Sequence, residues 1–154
     1  LGSSIEQIEL AADAVISSKI ADGTITLADV ATTAKTECIM LAASDETSDL
    51  EVGTDKVKFI MPYAFTLTSI SASVTTAPSG SALIADVHEA GTSIMTTNKL
   101  SIDADETSTS TAATAPTLTD NSLASGALIT IDVDQIGSST AGAGLKVYLT
   151  GYQS

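Results

Sequence analysis

The segment IleThrIleAspValAsp at residues 129–134 contains the clearest strand pattern in the chain. Aliphatic and polar side chains alternate there at every position, which is typical of a β-strand with one face buried and the other in water. We therefore expect Ile129, Ile131 and Val133 to face a hydrophobic core. The polar residues between them should face outward.

Short apolar runs of this kind recur on both sides of that segment. They lie at residues 38–43, 57–61, 65–74, 83–87, 100–104 and 145–149. Turn residues separate them, as in AlaProSerGly at 77–80 and GluAlaGly at 89–91. Roughly eight strands at a spacing of eight to twelve residues predict an all-β fold, an antiparallel β-sandwich of the jelly-roll type.

One apolar run, PheThrLeuThrSerIleSerAlaSerVal at 65–74, changes phase along its length. In a regular strand, its first two apolar residues would lie on one face and its last three on the other. The change falls near Thr68 and Ser69. It predicts either a β-bulge or a bend that carries the strand between two sheets.

Residues 5–35, IEQIELAADAVISSKIADGTITLADVATTAK, follow a different rule. Branched aliphatic residues stand five apart, six times in succession, with small and polar residues between them. They are Ile5, Leu10, Val15, Ile20, Ile25 and Val30. Neither a helix nor a strand has this period. Two fives make a ten-residue unit, which fits two short extended segments joined by a turn such as AlaAspGly at 21–23.

So little apolar surface cannot bury itself within one chain, and regular repeats of this kind become stable by stacking or by winding several chains together. We therefore predict that residues 1–36 form a self-associating arm or short stalk, and that residues 37–154 form the sandwich. An alternative is a short amphipathic helix that begins with Ser4 as its N-cap and Gln7 in a capping box. The repeat continues through Gly23 and a β-branched run, where a helix is disfavoured.

The composition narrows the classes of function. Six basic and nineteen acidic residues give a net charge of −13, which disfavours binding to nucleic acid or to an anionic membrane surface. No stretch approaches the ~20 apolar residues of a membrane-spanning helix. The lone cysteine, Cys38, lies in an apolar run and is expected to be a buried structural thiol that forms no intrachain disulfide.

Few residues suggest catalysis. The lone histidine, His88, lies on the outward row of a predicted strand, and no nucleophile elbow accompanies it, so we expect a surface or interface side chain. Acidic pairs such as Asp132 with Asp134 and Asp103 with Asp105 share a strand face, and a second acidic group lies at residues 45–49. Such pairs could serve glycoside hydrolysis or a Ca²⁺ ion. Solvated strand faces are the preferred interpretation, and we predict no enzyme, no metal site and no cofactor.

Two parts of the chain resemble known proteins. The segment SerSerLysIleAlaAspGlyThrIleThrLeuAlaAspValAla at 17–31 is similar to repeats in fibre proteins of tailed bacteriophages. Residues 129–151, together with MetProTyrAlaPheThrLeuThr at 61–68, are similar to globular domains of phage virion proteins. The resemblance implies a homotrimeric, β-rich fibre with a stalk at its N-terminus and a compact head at its C-terminus.

The sequence therefore predicts a non-enzymatic phage virion protein, a trimeric fibre or tail-tip component located in the virion. Its expected partners are two further copies of itself, other virion proteins of the tail, adaptor or capsid, and a glycan or protein on the host surface. One alternative is a capsid decoration (cement) protein at a three-fold axis. Another, from a different class, is a carbohydrate-binding module, which the 3% aromatic content disfavours.

Overall fold

The computed structural model describes residues 20–26 and 28–154. The chain divides into two units, Leu1–Lys35 and Thr36–Ser154, called the arm and the head below. Within the described part of the arm, a short 3-10 helix spans Thr32–Lys35. The remaining described arm residues form bends and turns.

The head, all of which the structure describes, consists of β-strands joined by turns and loops. The strands are β1 (Thr36–Ala42), β2 (Gly53–Ile60), β3 (Phe65–Ser73), β4 (Leu83–Glu89), β5 (Thr92–Ser93), β6 (Leu100–Ile102), β7 (Ser122–Leu123), β8 (Leu128–Gln135) and β9 (Lys146–Gln153). They form two antiparallel sheets. Sheet I has the order β1-β9-β3-β7. Sheet II has the order β2-β8-β4-β5, with β6 also paired to β4.

The inner faces of the two sheets contribute to one hydrophobic core, as in a β-sandwich. Ile129, Ile131 and Val133 of β8 are at most 1% exposed, which confirms the inward row expected from the sequence. Leu145, directly before β9, and Val147 and Leu149 within it are fully buried as well. The predicted all-β class with antiparallel sheets is therefore confirmed.

The phase change in β3 is a bulge. Its pairing with β9 shifts register between Leu67 and Ser69, so that one extra residue is accommodated there. Phe65 and Leu67 before the bulge, and Ile70 and Ala72 after it, are all at most 6% exposed. The extra residue therefore turns both apolar sets toward the same core, and the alternative of a bend between sheets does not apply.

The turn predicted at GluAlaGly 89–91 joins β4 to β5. Ala90 and Gly91 have φ values of 48° and 82°, the left-handed conformation that a tight two-residue hairpin needs at both central positions. The pairing of Glu89 with Thr92 closes this hairpin. β5 is only two residues long.

Candidate functional site

The aliphatic repeat of the arm coincides with a repeat of backbone turns. The N–H of Thr24 donates to the carbonyl of Ala21 at 3.1 Å, that of Asp29 donates to Thr26 at 3.0 Å, and that of Ala34 donates to Ala31 at 2.9 Å. These turns begin five residues apart. Each begins directly after one of the aliphatic residues at positions 20, 25 and 30.

Side chains strengthen the first two of these turns. The Thr24 hydroxyl donates to the Ala21 carbonyl at 2.7 Å. The Asp29 carboxylate accepts from the backbone N–H and the hydroxyl of Thr26, at 2.9 and 2.7 Å. These bonds, the backbone one above all, lower the pKa of Asp29. The turn expected at 21–23 is confirmed, with Gly23 at φ 77°. The unit is five residues with one turn, rather than the ten residues inferred from the sequence.

The described aliphatic residues of the repeat are poorly covered. Ile20 is 41% exposed and Ile25 is 59% exposed, while Val30 is half-buried. The other three predicted self-association residues, Ile5, Leu10 and Val15, and the alternative helix start at Ser4, lie outside the described residues. The described arm therefore presents branched aliphatic side chains to solvent at a regular spacing.

A second cluster of interest surrounds His88 on the outer face of sheet II. Its Nε2 lies 3.6 Å from the Asp86 carboxylate, and its Nδ1 lies 3.7 Å from that of Asp132 on the neighbouring strand. The His88 side chain is 19% exposed. It is thus on the outward row, as expected, but it is enclosed by two carboxylates rather than spread on the surface.

Asp86 is the buried centre of this cluster. It is 1% exposed, and its Oδ1 accepts from the Val87 N–H and from the Ser93 hydroxyl, both at 2.8 Å. Its Oδ2 forms an ion pair with Lys99 Nζ at 2.8 Å. Because Ser93 donates to Asp86 and not to the imidazole, the arrangement lacks the hydroxyl–imidazole hydrogen bond that activates a serine nucleophile.

Lys99 and the outer carboxylates complete the network. Lys99 Nζ lies 2.6 Å from Asp134, and its hydrogen bonds to Asp134 and then Asp86 raise the pKa of the ammonium group. Asp132 accepts from the N–H of Asp55 at 2.7 Å. The predicted pair Asp132 and Asp134 therefore does share one face, but both carboxylates are already bonded within the protein.

The other acidic groups are also engaged in local structure. Asp45 accepts the N–H groups of Ser48 and Thr47 at 2.7 and 2.9 Å, and these bonds lower its pKa to about 2. Asp103 accepts from the Ser101 hydroxyl and the Ala113 N–H. Within residues 20–26 and 28–154, no group of three or more His, Cys, Asp or Glu side chains is arranged to hold a metal ion.

The sequence-based prediction for Cys38 is wrong, because the thiol is exposed. Cys38 lies on β1, where the alternating neighbours Ile39 and Leu41 pack against the core. Cys38 and Met40 therefore fall on the outward row, and Met40 is 55% exposed. An apolar run of six residues concealed this alternation, since inward and outward positions are both apolar.

Comparison of the chain with protein families, with curated proteins and with solved structures found no match. None of the helices in the described part of the chain has the length and apolar character needed to span a bilayer.

Proposed function

We propose that this chain is a structural protein of a tailed-bacteriophage virion, a trimeric fibre or tail-tip component. In this proposal its arm associates with the arms of two further copies and docks on other virion proteins. The head is displayed outward, where it can meet a glycan or protein of the host surface. The role is mechanical and involves no catalytic step.

The observation that carries the proposal is the exposure of Ile20 and Ile25 at the five-residue spacing of the arm. Burying the exposed part of each side chain would contribute about 1 kcal/mol per residue. If three arms associate through this row, the contributions of the buried side chains to the free energy of association add up. A lone arm leaves these side chains in water, which is the expected state of a segment meant to meet its own copies.

The head supports the same function more broadly. Consecutive strands alternate between the two sheets except for β4, β5 and β6, which all lie in sheet II, and the orders β1-β9-β3-β7 and β2-β8-β4-β5 are compatible with a jelly roll to which β6 is added. Jelly rolls are common in viral capsid domains and lectins, although a fold alone does not determine a function. The net charge of −13 favours solubility where many copies are crowded together.

Native mass spectrometry of the full chain tests the proposal. We expect a trimer for the unmodified protein and a weaker trimer, shifted toward monomer on dilution, when the three described aliphatic residues of the repeat are replaced together by serine. The substitutions are Ile20→Ser, Ile25→Ser and Val30→Ser. The matched control places the same three hydroxyls on exposed alanine positions of the same segment: Ala21→Ser, Ala28→Ser and Ala31→Ser.

The control variant should remain trimeric, and both variants should retain the β-sheet circular dichroism of the head. A monomeric unmodified protein contradicts the proposal, as does a triple aliphatic variant that assembles as tightly as the parent. The position of the protein in a virion map then separates a tail-end fibre from a capsid decoration protein.

A further inference from the structure

Two long strands lie at open sheet edges in the head, which the structure describes throughout. β1 is paired on one side by β9, and β2 is paired on one side by β8. The other edges are formed by β5, β6 and β7, which are two or three residues long. Very short edge strands offer little backbone to a partner, whereas β1 has seven residues and β2 has eight, of which Val57–Ile60 are in regular register after an irregularity between Gly53 and Val57.

The backbone groups that point away from each sheet can be identified from the register. The N–H of Ala43 donates to Leu145, and β1 continues this register with β9 without a shift. The backbone N–H and carbonyl groups of successive residues point to opposite sides of a strand. Ala43 points toward β9, so Met40 and Cys38, an odd number of residues away, point their N–H and carbonyl groups to the open edge. The bond from Met61 to Ala127 assigns Lys58 and Ile60 to the open edge of β2 by the same argument.

The side chains on the two edges match as well. Met40 on β1 and Ile60 on β2 face outward, with exposures of 55% and 58%. The rows that face the core on these strands are apolar and only partly buried. They consist of Ile39 and Leu41 on β1, and of Val57 and Phe59 on β2. A strand that pairs with β1 or β2 would cover the inner row of that strand, provided that its own side chains on the same face are apolar.

Charge selects between the possible pairings. β2 carries Lys56 and Lys58, two of the six lysines of a strongly acidic chain, and one acidic residue, Asp55, which pairs with Lys58 at 2.9 Å, so the strand keeps one excess positive charge. The outward row of β1 between Cys38 and Ala42 is uncharged, and β1 leads into a loop with four acidic residues at positions 45, 46, 49 and 51. β2 of another copy therefore complements β1 and its following loop in charge.

We propose that β1 of one copy pairs antiparallel with β2 of a second copy, with Cys38 opposite Ile60 and Met40 opposite Lys58. In this register Ile39 meets Phe59 and Leu41 meets Val57, so the inner rows continue one apolar face. Lys56, in the irregular part of β2, then lies near Ala42 and the acidic loop. The inference rests on the proposed function, because three such contacts, each joining β1 to the next copy's β2, close a trimer of heads.

The native Cys38 allows a direct test. Residues opposite one another in a hydrogen-bonded antiparallel pair have Cα atoms about 5.5 Å apart, within the range that a disulfide bridges. The full-length Ile60→Cys variant, oxidised under mild conditions at micromolar concentration, should therefore form a covalent trimer on a non-reducing gel. Each subunit would contribute one thiol from β1 and one from β2, and reduction should return the monomer band.

The matched control is Leu128→Cys. Leu128 is 39% exposed and lies directly beside Ile60, but on β8, one strand further from the edge. The extra strand spacing of about 4.8 Å carries its thiol out of disulfide reach, so we expect about tenfold less covalent trimer. If the Ile60→Cys variant proves unstable, Met40→Cys with Lys58→Cys on a Cys38→Ser background tests the same register.

Three results overturn the pairing. They are covalent dimers of the unmodified protein through Cys38 alone, equal crosslinking of Leu128→Cys and Ile60→Cys, and absence of crosslinks in both engineered pairs. If native mass spectrometry finds a trimer in that last case, the proposed function stands and the strand pairing falls. If the unmodified protein is a monomer, both fall.

Discussion

The Asp86 carboxylate, 1% exposed on the outer face of sheet II, is paired with the ammonium group of Lys99 at 2.8 Å. A charged carboxylate at this depth needs compensation, because transfer from water to a low-dielectric site disfavours the ionised form strongly. Lys99 supplies the compensating charge and is itself 37% exposed. The pair therefore joins a buried strand residue of β4 to the solvent-facing residue that precedes β6.

Replacing Lys99 with methionine should destabilise the head. Methionine keeps most of the aliphatic stem but leaves Asp86 and Asp134 without their cation, and Asp86 cannot move into water. We expect a loss of about 2–3 kcal/mol in the free energy of unfolding, measured by urea denaturation at pH 7. The control is Lys58→Met, which breaks the exposed 2.9 Å pair with Asp55.

The Lys58→Met variant should change the free energy of unfolding by less than about 0.5 kcal/mol, because exposed ion pairs contribute little. Equal effects of the two substitutions would show that the burial of Asp86 does not increase the contribution of its ion pair with Lys99 to the free energy of unfolding.

Gly151 in β9 is expected to reject any side chain. A Cβ atom at this position would lie 2.1 Å from the carbonyl oxygen of Thr66 and 2.8 Å from Cε1 of Phe65. Neither neighbour can yield easily, since one is backbone in β3 and the other is a fully buried ring. Gly151→Ala should therefore lower the free energy of unfolding by about 3 kcal/mol, measured by thermal or urea denaturation.

Thr150→Ala is the matched control for this substitution. It changes the neighbouring position of the same strand without adding atoms, and the Thr150 carbonyl that accepts from Thr68 is retained. A cost below about 1 kcal/mol is expected. If Gly151→Ala is as mild as this control, the close approach of β9 to β3 is not a constraint on the fold.

Much of the head could be predicted from periodicity alone. Alternation in β8 and β9 specifies one buried face, and the break of phase in β3 is the mark of an extra residue. The short strands β5 and β7 carry two residues each, which is too little for any period to register. Their positions depend on partners far along the chain, as when Phe65 pairs with Leu123.

The site could be predicted only in part, for a physical reason. The alternation along a strand predicts which face of the sheet a side chain lies on, but not which residues cover that side chain. His88 lies on the outward row as the pattern predicts, yet its neighbour on that row, Asp86, is covered by Lys99 from a different segment. Cys38 shows the converse, because an apolar residue on the outward row of β1 faces away from the core and remains exposed. Coverage depends on long-range contacts, which the local pattern does not contain.

The acid stability of the head should depend on Asp45. Hydrogen bonds from Ser48 and Thr47 lower its pKa to about 2 from an ordinary value of 3.8. A depressed pKa means that the folded state gains stability from the ionised carboxylate above the unfolded value, and loses it as pH falls from about 4 through 2. Asp45→Asn keeps an acceptor oxygen for the turn but cannot titrate.

Urea denaturation at a series of pH values between 5 and about 2 measures this effect. The stability of Asp45→Asn should fall less steeply over that range than the stability of the parent. Identical profiles for the parent and Asp45→Asn would exclude the turn as a source of the acid dependence.

The five-residue spacing of the arm can be tested by two insertions, of which only one changes the phase of the aliphatic row. Turns begin at Ala21, Thr26 and Ala31, each directly after an aliphatic residue, so a single alanine inserted between Thr24 and Ile25 puts the two halves out of step. Inserting a second copy of residues 20–24 at the same place adds five residues and keeps the step. Both insertions lengthen the arm, but only the first breaks the row of aliphatic side chains.

If three arms associate through this row, the single insertion should weaken trimer formation by tenfold or more, about 1.4 kcal/mol, while the five-residue insertion assembles like the parent. Dilution series followed by native mass spectrometry measure the two dissociation constants. Equal affinities for both insertions would mean that the period plays no part in association. If the five-residue insertion also lowered the affinity of trimer formation, the length of the arm, rather than its phase, would determine association.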